Sequence, residues 1–112
     1  MKILLTGIIL SILSTSSYAD LASYYGRGFH GKKTASGEVF NQNAMTAASN
    51  SHKMGTKLKV TNVATGKSVI VKINDTGAFT RKYGRTLDLS QSAFARIAPL
   101  SQGICKVKIE RL

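Results

Sequence analysis

The sequence predicts a mainly β fold, a small closed barrel carrying one or two short helices. Three observations lead there. Apolar and polar residues alternate through Lys57–Thr61, Ser68–Asn74 and Ile104–Arg111, the period of two that marks strands with one buried face. One convincing helical pattern is present, and it is only about two turns long. A set of so few strands hides its unpaired edges best by closing on itself.

Taken in order, residues 1–19 are expected to lie outside the fold. Lys2 precedes the apolar run Ile3 to Leu13, and Ser17-Tyr18-Ala19 places small side chains where a signal peptidase reads. The run is shorter than the roughly 20 residues of a membrane-spanning helix. We therefore expect a signal peptide and a periplasmic or secreted product that begins at Asp20, with no membrane anchor; Asp20, not a Cys, follows the cleavage point. Residues 20–112 then form one continuous domain. Ala22–Tyr25 predicts a first strand, broken at Gly26, while Gly26–Gly37 and Asn41–Gly55 predict loops with room for short strands. Lys57–Thr61 and Ser68–Asn74 predict a hairpin about the turn Ala64-Thr65-Gly66-Lys67. Ser90 caps a helix whose stripe is Ala93, Phe94 and Ile97, and Pro99 stops it. The last strand places Cys105 in register with Val107 and Ile109, as a small buried hydrophobe.

Composition narrows the chemistry. The chain has 112 residues, 16 Lys and Arg against 5 Asp and Glu, a formal charge of +11, and one Cys. A lone Cys excludes an internal disulfide, and the scattered His30, His52 and Cys105 lack zinc-ligand spacing, so no metal and no cofactor is expected. A strongly basic domain outside the cytoplasm seldom meets nucleic acid and suits an anionic envelope polymer, with carboxylated glycan the simplest choice. A monomer is expected.

With five acidic residues, the search for acid and base groups is short. Asp20 and Glu110 need only solvated surface roles. Asp75 directly follows the apolar strand, in Asn74-Asp75-Thr76-Gly77, where a strand end aims side chains at a cleft; the competing reading is an Asp that starts the turn. Glu38 follows Gly37 in a turn and could equally be a surface residue. Asp88 reads as a charge at the helix amino end or as a partly buried structural carboxylate. No Ser, Cys or His lies in a nucleophile signature. Glycosidic hydrolysis usually takes two carboxylates; where a sugar hydroxyl attacks instead of water, one carboxyl can act as acid and then as base.

Several ordered motifs together resemble the rare lipoprotein A family. They are Ala22-Ser23-Tyr24-Tyr25-Gly26, the stretch Phe29 to Phe40 containing His30-Gly31 and Gly37-Glu38, Met45-Thr46-Ala47-Ala48, Gly55-Thr56, Val71 to Gly77, and Gly84 to Ser90. The resemblance runs from about Ala22 to Leu112. It implies a six-stranded double-psi β-barrel and a lytic transglycosylase that cleaves between N-acetylmuramic acid and N-acetylglucosamine in strands stripped of stem peptides, leaving 1,6-anhydro ends. By motif, Asp75 takes the catalytic aspartate position and Glu38 the functionally important Gly-Glu position. Asp75 would protonate the bridging oxygen while the muramic C6 hydroxyl closes onto C1. Glu38 would be the neighbouring carboxylate that keeps Asp75 protonated part of the time, or a holder of a sugar hydroxyl. Tyr25, His30, Asn74 and Ser49 are the candidate substrate-binding residues; Tyr25 could stack on a sugar ring or could be core.

The chain departs from the family pattern at two places. Thr76-Gly77-Ala78 stands where Arg and Pro are common, with Arg81 or Arg85 as possible substitutes, and Ser49 stands where a His often follows Thr-Ala-Ala, with His52 three residues on. The alternative reading is a non-catalytic, expansin-like module that grips glycan in the same groove.

Overall fold

The computed structural model describes residues 20–25, 29–76 and 86–112. The expected signal peptide, the strand break at Gly26, and the segment from Gly77 to Arg85, with Ala78, Arg81 and Arg85, lie outside the described residues. Six strands are present: β1 (Asp20–Tyr24), β2 (Thr46–Ala48), β3 (Lys57–Asn62), β4 (Ser68–Asp75), β5 (Leu87–Leu89) and β6 (Cys105–Arg111). They close in the order β1-β5-β2-β4-β3-β6. The β1/β5 and β2/β4 pairs run parallel and the other four antiparallel. Closure pairs both edges of every strand, which is what a small sheet needs.

Alternation fills the interior. Leu58 and Val60 of β3, Val69, Val71 and Ile73 of β4, Leu87 and Leu89 of β5, and Cys105 and Val107 of β6 turn inward and pack with Ala22 and Ala47. Helix α1 (Gln91–Ile97) adds Ala93, Phe94 and Ile97 to the same cluster. Ser90 caps it as expected, its hydroxyl accepting from the Ala93 N–H at 3.2 Å. A 3-10 turn at Leu100–Gln102 follows Pro99 and supplies the second short helical piece. Burial pushes the Cys105 thiol pKa up, in keeping with its inward position.

Two short strands complete the barrel, one in a loop with room for it and one not expected as a strand. β2 lies inside the expected loop Asn41–Gly55, and β5 occupies the Leu-Asp-Leu stretch read as a prelude to the helix. Each is three residues long, and Thr-Ala-Ala has little intrinsic strand preference. Both become strands because they are held on two edges, β2 by β4 and β5, β5 by β1 and β2.

This central strip positions the site. Ser23 of β1 faces Asp88 of β5, Asp88 faces Ala48 of β2, and Ala48 faces Asp75 of β4, so the four residues form one row across four strands. Between β2 and β4 the register shifts: Ala47 pairs with Ile73 but Ala48 pairs with Asp75, leaving Asn74 as the extra residue. A bulge of this kind re-aims the next side chain. It takes Asp75 off the core side that Ile73 occupies and sets it beside Ala48, which packs with Tyr25 and Phe40 in a second, smaller apolar cluster.

Candidate active site

The site is assembled where β4 ends. A short excursion from Phe29 to Phe40 folds back on itself, with Gly31 N–H donating to Phe40 C=O at 2.8 Å, Phe40 N–H to Lys32 C=O at 2.7 Å, and Thr34 N–H to Glu38 C=O at 2.7 Å. Gly37, at φ 91°, makes the tight turn at its tip, a conformation that a side chain would strain. The tip then lies on the end of β4. Ala35 N–H donates to Asp75 Oδ1 at 2.9 Å, and Ser36 N–H donates to the Asn74 carbonyl at 3.2 Å.

Asp75 is half-buried and both carboxylate oxygens are engaged. Oδ1 also accepts from Thr76 N–H at 2.9 Å, the turn-starting bond that the sequence allowed as an alternative. Oδ2 accepts from the Tyr25 hydroxyl at 2.7 Å. The carboxylate is thus held in one orientation by three donors from three separate segments, which a simple turn residue does not require.

Tyr25 follows β1, its N–H bonded to Leu89 C=O at 2.9 Å. Of the two readings open for its ring, sugar stacking or core, the structure shows the second: Tyr25 is only 5% exposed, its ring stacks on Phe40 with centroids 4.2 Å apart, and it meets Phe29 edge-on at 5.5 Å. Its ring is therefore covered, and its hydroxyl is the end that reaches Asp75. Burial, the bond to Asp75 and the nearby negative charges of Asp75 and Asp88 all drive the phenol pKa far up, so Tyr25 remains a donor at any ordinary pH.

Glu38 lies beside the same strand end but is engaged elsewhere. Oε2 makes a 2.7 Å salt bridge with Lys72 Nζ, and Oε1 accepts from Asn74 Nδ2 at 3.1 Å. These two donors hold its carboxyl below the usual carboxylate range. Two roles were open for Glu38, a carboxylate beside Asp75 or a holder of a sugar hydroxyl; its bonds are to Lys72 and to Asn74, the residue before Asp75. Asn74 is 3% exposed, and its Oδ1 has no hydrogen-bond partner.

Ser49 is fully buried. Its hydroxyl accepts from the Ser51 and His52 N–H groups, each at 3.1 Å, and its own N–H donates to the Asp75 carbonyl at 3.0 Å. It shapes the turn after β2 and offers no surface to a substrate, contrary to expectation. The same turn folds His52 back, with Nδ1 3.2 Å from Ser49 Oγ. His30 is exposed; its Nδ1 accepts from Gln42 N–H at 3.2 Å and ties the ends of the excursion together.

Asp88, read from the sequence as a helix-end charge or a partly buried structural carboxylate, is partly buried in β5. Strands flanking a common neighbour stand about 10 Å apart, so Asp75 and Asp88 bracket Ala48 from either side, and both act on the Tyr25 hydroxyl. Ser23 Oγ donates to Asp88 Oδ1 at 3.0 Å. The signal was available: Leu-Asp-Leu alternates, which is a strand pattern that turns the acid away from the core. Among the described residues no group of three His, Cys, Asp or Glu side chains is placed to hold a metal.

The model of the lytic transglycolase family matches residues 17–109. The chain belongs to that family. Relatives from three bacteria agree. A Synechocystis protein named "probable endolytic peptidoglycan transglycosylase RlpA" is 51% identical over 80% of this chain and 27% of its own length. Proteins named endolytic peptidoglycan transglycosylase RlpA from Rickettsia felis and Campylobacter jejuni are 49% and 44% identical, over 88% and 89% of this chain and 45% and 36% of theirs. The chain thus spans a quarter to under half of the length of these relatives. Solved structures with the same fold include a Clavibacter michiganensis expansin (TM-score 0.61, 22% identity, 84% of this chain and 49% of that one). A Streptomyces papain inhibitor is similar to the same degree (TM-score 0.61, 23% identity, 84% and 94%). The resemblance to the rare lipoprotein A family and the double-psi form of the six-stranded barrel are both borne out.

Proposed function

We propose that this domain is a peptidoglycan lytic transglycosylase, cleaving the β-1,4 bond between N-acetylmuramic acid and N-acetylglucosamine in strands without stem peptides. The observation that carries the reading is the bulge at Asn74 that turns Asp75 out of the core and into a three-donor cradle. Asp75 gives a proton to the bridging oxygen as the bond to C1 breaks. The muramic C6 hydroxyl then bonds to C1, and its proton returns to the Asp75 carboxylate, so no water is consumed and the product end is a 1,6-anhydro ring. Tyr25, Ala35 N–H and Thr76 N–H keep the carboxylate aimed through both transfers. Asp88, across Ala48, supplies negative charge that favours the oxocarbenium-like centre at C1. Glu38, exposed and steadied by the buried Asn74 amide, is placed to meet sugar hydroxyls.

Residues 1–19 act as an export signal and residues 20–112 as the working domain in the periplasm or outside the cell; the family match begins at residue 17, and the barrel at Asp20. Mass spectrometry of purified, peptide-free glycan strands after incubation tests the reading. Anhydro-ended fragments are expected from the native protein and none from Asp75→Asn. Fragments with reducing ends, or no fragments from the native protein, overturn it, the second result favouring a glycan-gripping module.

A further inference from the structure

The antiparallel sheet formed by β4, β3 and β6 has an outer face that the catalytic reading leaves unused. Inward residues of these strands are the core positions, so Lys57, Lys59 and Thr61 of β3, Ser68, Ile70 and Lys72 of β4, and Lys106, Lys108 and Glu110 of β6 point out. Register sets them in rows. Lys57 lies directly across from Lys72, Lys59 lies between Ile70 and Glu110, and Thr61 lies between Ser68 and Lys108. Five lysines stand on this face against one glutamate.

Such a face carries a cost. Like charges directly opposite on neighbouring strands destabilise a sheet, and Lys57 and Lys72 are such a pair; Glu38 relieves only Lys72. Solubility alone would be served by lysines anywhere on the surface. The face is roughly 10 Å wide by roughly 13 Å from the Lys57 row to the Thr61 row. It is also continuous with the site: Lys72 is three residues, roughly 10 Å, before Asp75 on the same strand.

We infer that this lysine face is a second binding surface for the anionic glycan strand, holding the run of sugars beyond the one being cut through the lactyl carboxylates of its muramic residues. This rests on the proposed function for its substrate class and adds where the rest of the strand lies. Charge complementarity and continuity with Asp75 favour a polymer. A lipid surface would want apolar side chains to insert, and on these rows Ile70, 53% exposed, is the one apolar member.

The test measures binding of purified protein to three probes: soluble peptide-free glycan, the same glycan with its carboxylates amidated, and vesicles of phosphatidylglycerol and phosphatidylethanolamine. It is run in the Asp75→Asn background, so that binding is read without turnover and survives a failure of the catalytic reading. Replacing Lys57, Lys59 and Lys108 together by Gln is expected to weaken glycan binding by about tenfold at low salt and to flatten its salt dependence. Amidated glycan should bind both proteins equally weakly. Thermal melting guards against misfolding, and the Lys57→Gln change alone should raise the midpoint by removing the like-charge pair. Undiminished binding by the triple variant, equal binding of amidated and native glycan, or tighter binding to the vesicles than to glycan overturns the inference.

Discussion

Replacing Tyr25 by Phe deletes one oxygen and isolates its contribution. The ring keeps its stack on Phe40 and its edge contact with Phe29, while the 2.7 Å bond to Asp75 Oδ2 is lost. A hydrogen bond to a charged group contributes about 1.5–3 kcal/mol net. Asp75 is only half-buried, so water partly replaces the missing donor, and the lower end, about 1.5 kcal/mol, applies. For a domain of this size that is a fall of roughly 6–12 °C in the thermal midpoint. If the hydroxyl also aims the carboxyl during proton transfer, kcat falls about tenfold for each 1.4 kcal/mol of lost orientation, with KM unchanged because Tyr25 does not reach the sugar. The assay is release of anhydro-ended fragments over time, beside thermal melts of Tyr25→Phe, Asp75→Ala and the double variant. The two changes should be non-additive, the second costing little once the first is made. Wild-type kcat and midpoint in Tyr25→Phe, or full additivity with Asp75→Ala, would refute the positioning role.

Other outcomes follow from the same geometry. Glu38 has its folded pKa below the ordinary 4.5 because Lys72 and Asn74 bind its anion, so its stabilising effect is present above that value and is lost as pH falls through the folded pKa. Lys72→Met should therefore flatten the acid-side fall of the melting midpoint between about pH 5 and about pH 3, and the Glu38 carboxyl should titrate higher by NMR. Gly37→Ala forces a side chain into positive φ and should cost about 1 kcal/mol. Because that turn carries Ala35 onto Asp75, Gly37→Ala should lower turnover by more than its stability loss accounts for, read as a reduced kcat at temperatures well below the variant's melting midpoint. Asp75→Asn should retain the fold, seen by unchanged circular dichroism, while abolishing fragment release.

Much of the barrel was legible because its longer strands alternate without interruption. Lys57–Thr61, Ser68–Asn74 and Ile104–Arg111 match β3, β4 and β6 to within a residue or two, and Ser90 caps the helix where its hydroxyl type and the stripe after it said it would. β2 and β5 were opaque for the opposite reason: three residues are too few to show a period, and what makes them strands is their neighbours in space. Asp75 stood out at the end of an apolar run. Tyr25 stayed open between two readings because aromatic chemistry suits both a sugar and a core, and the sequence does not say that Phe40 covers the ring. Ser49 and Asn74 were likewise found buried, holding backbone and carboxylate partners.

The sequence by itself determined which residues can be strands, that one disulfide-free domain must hold itself together by its core, and that acid chemistry must come from five side chains. Those follow from periodicity and counting, which are local. Only the tertiary structure decided what meets Asp75. The bulge that turns it outward, the Tyr25 hydroxyl 50 residues earlier in the chain, the Ala35 amide 40 residues earlier, and Asp88 across β2 are joined by strand pairing and barrel closure. Register between distant segments is fixed by the packing of the whole core at once, so no single stretch of sequence carries it.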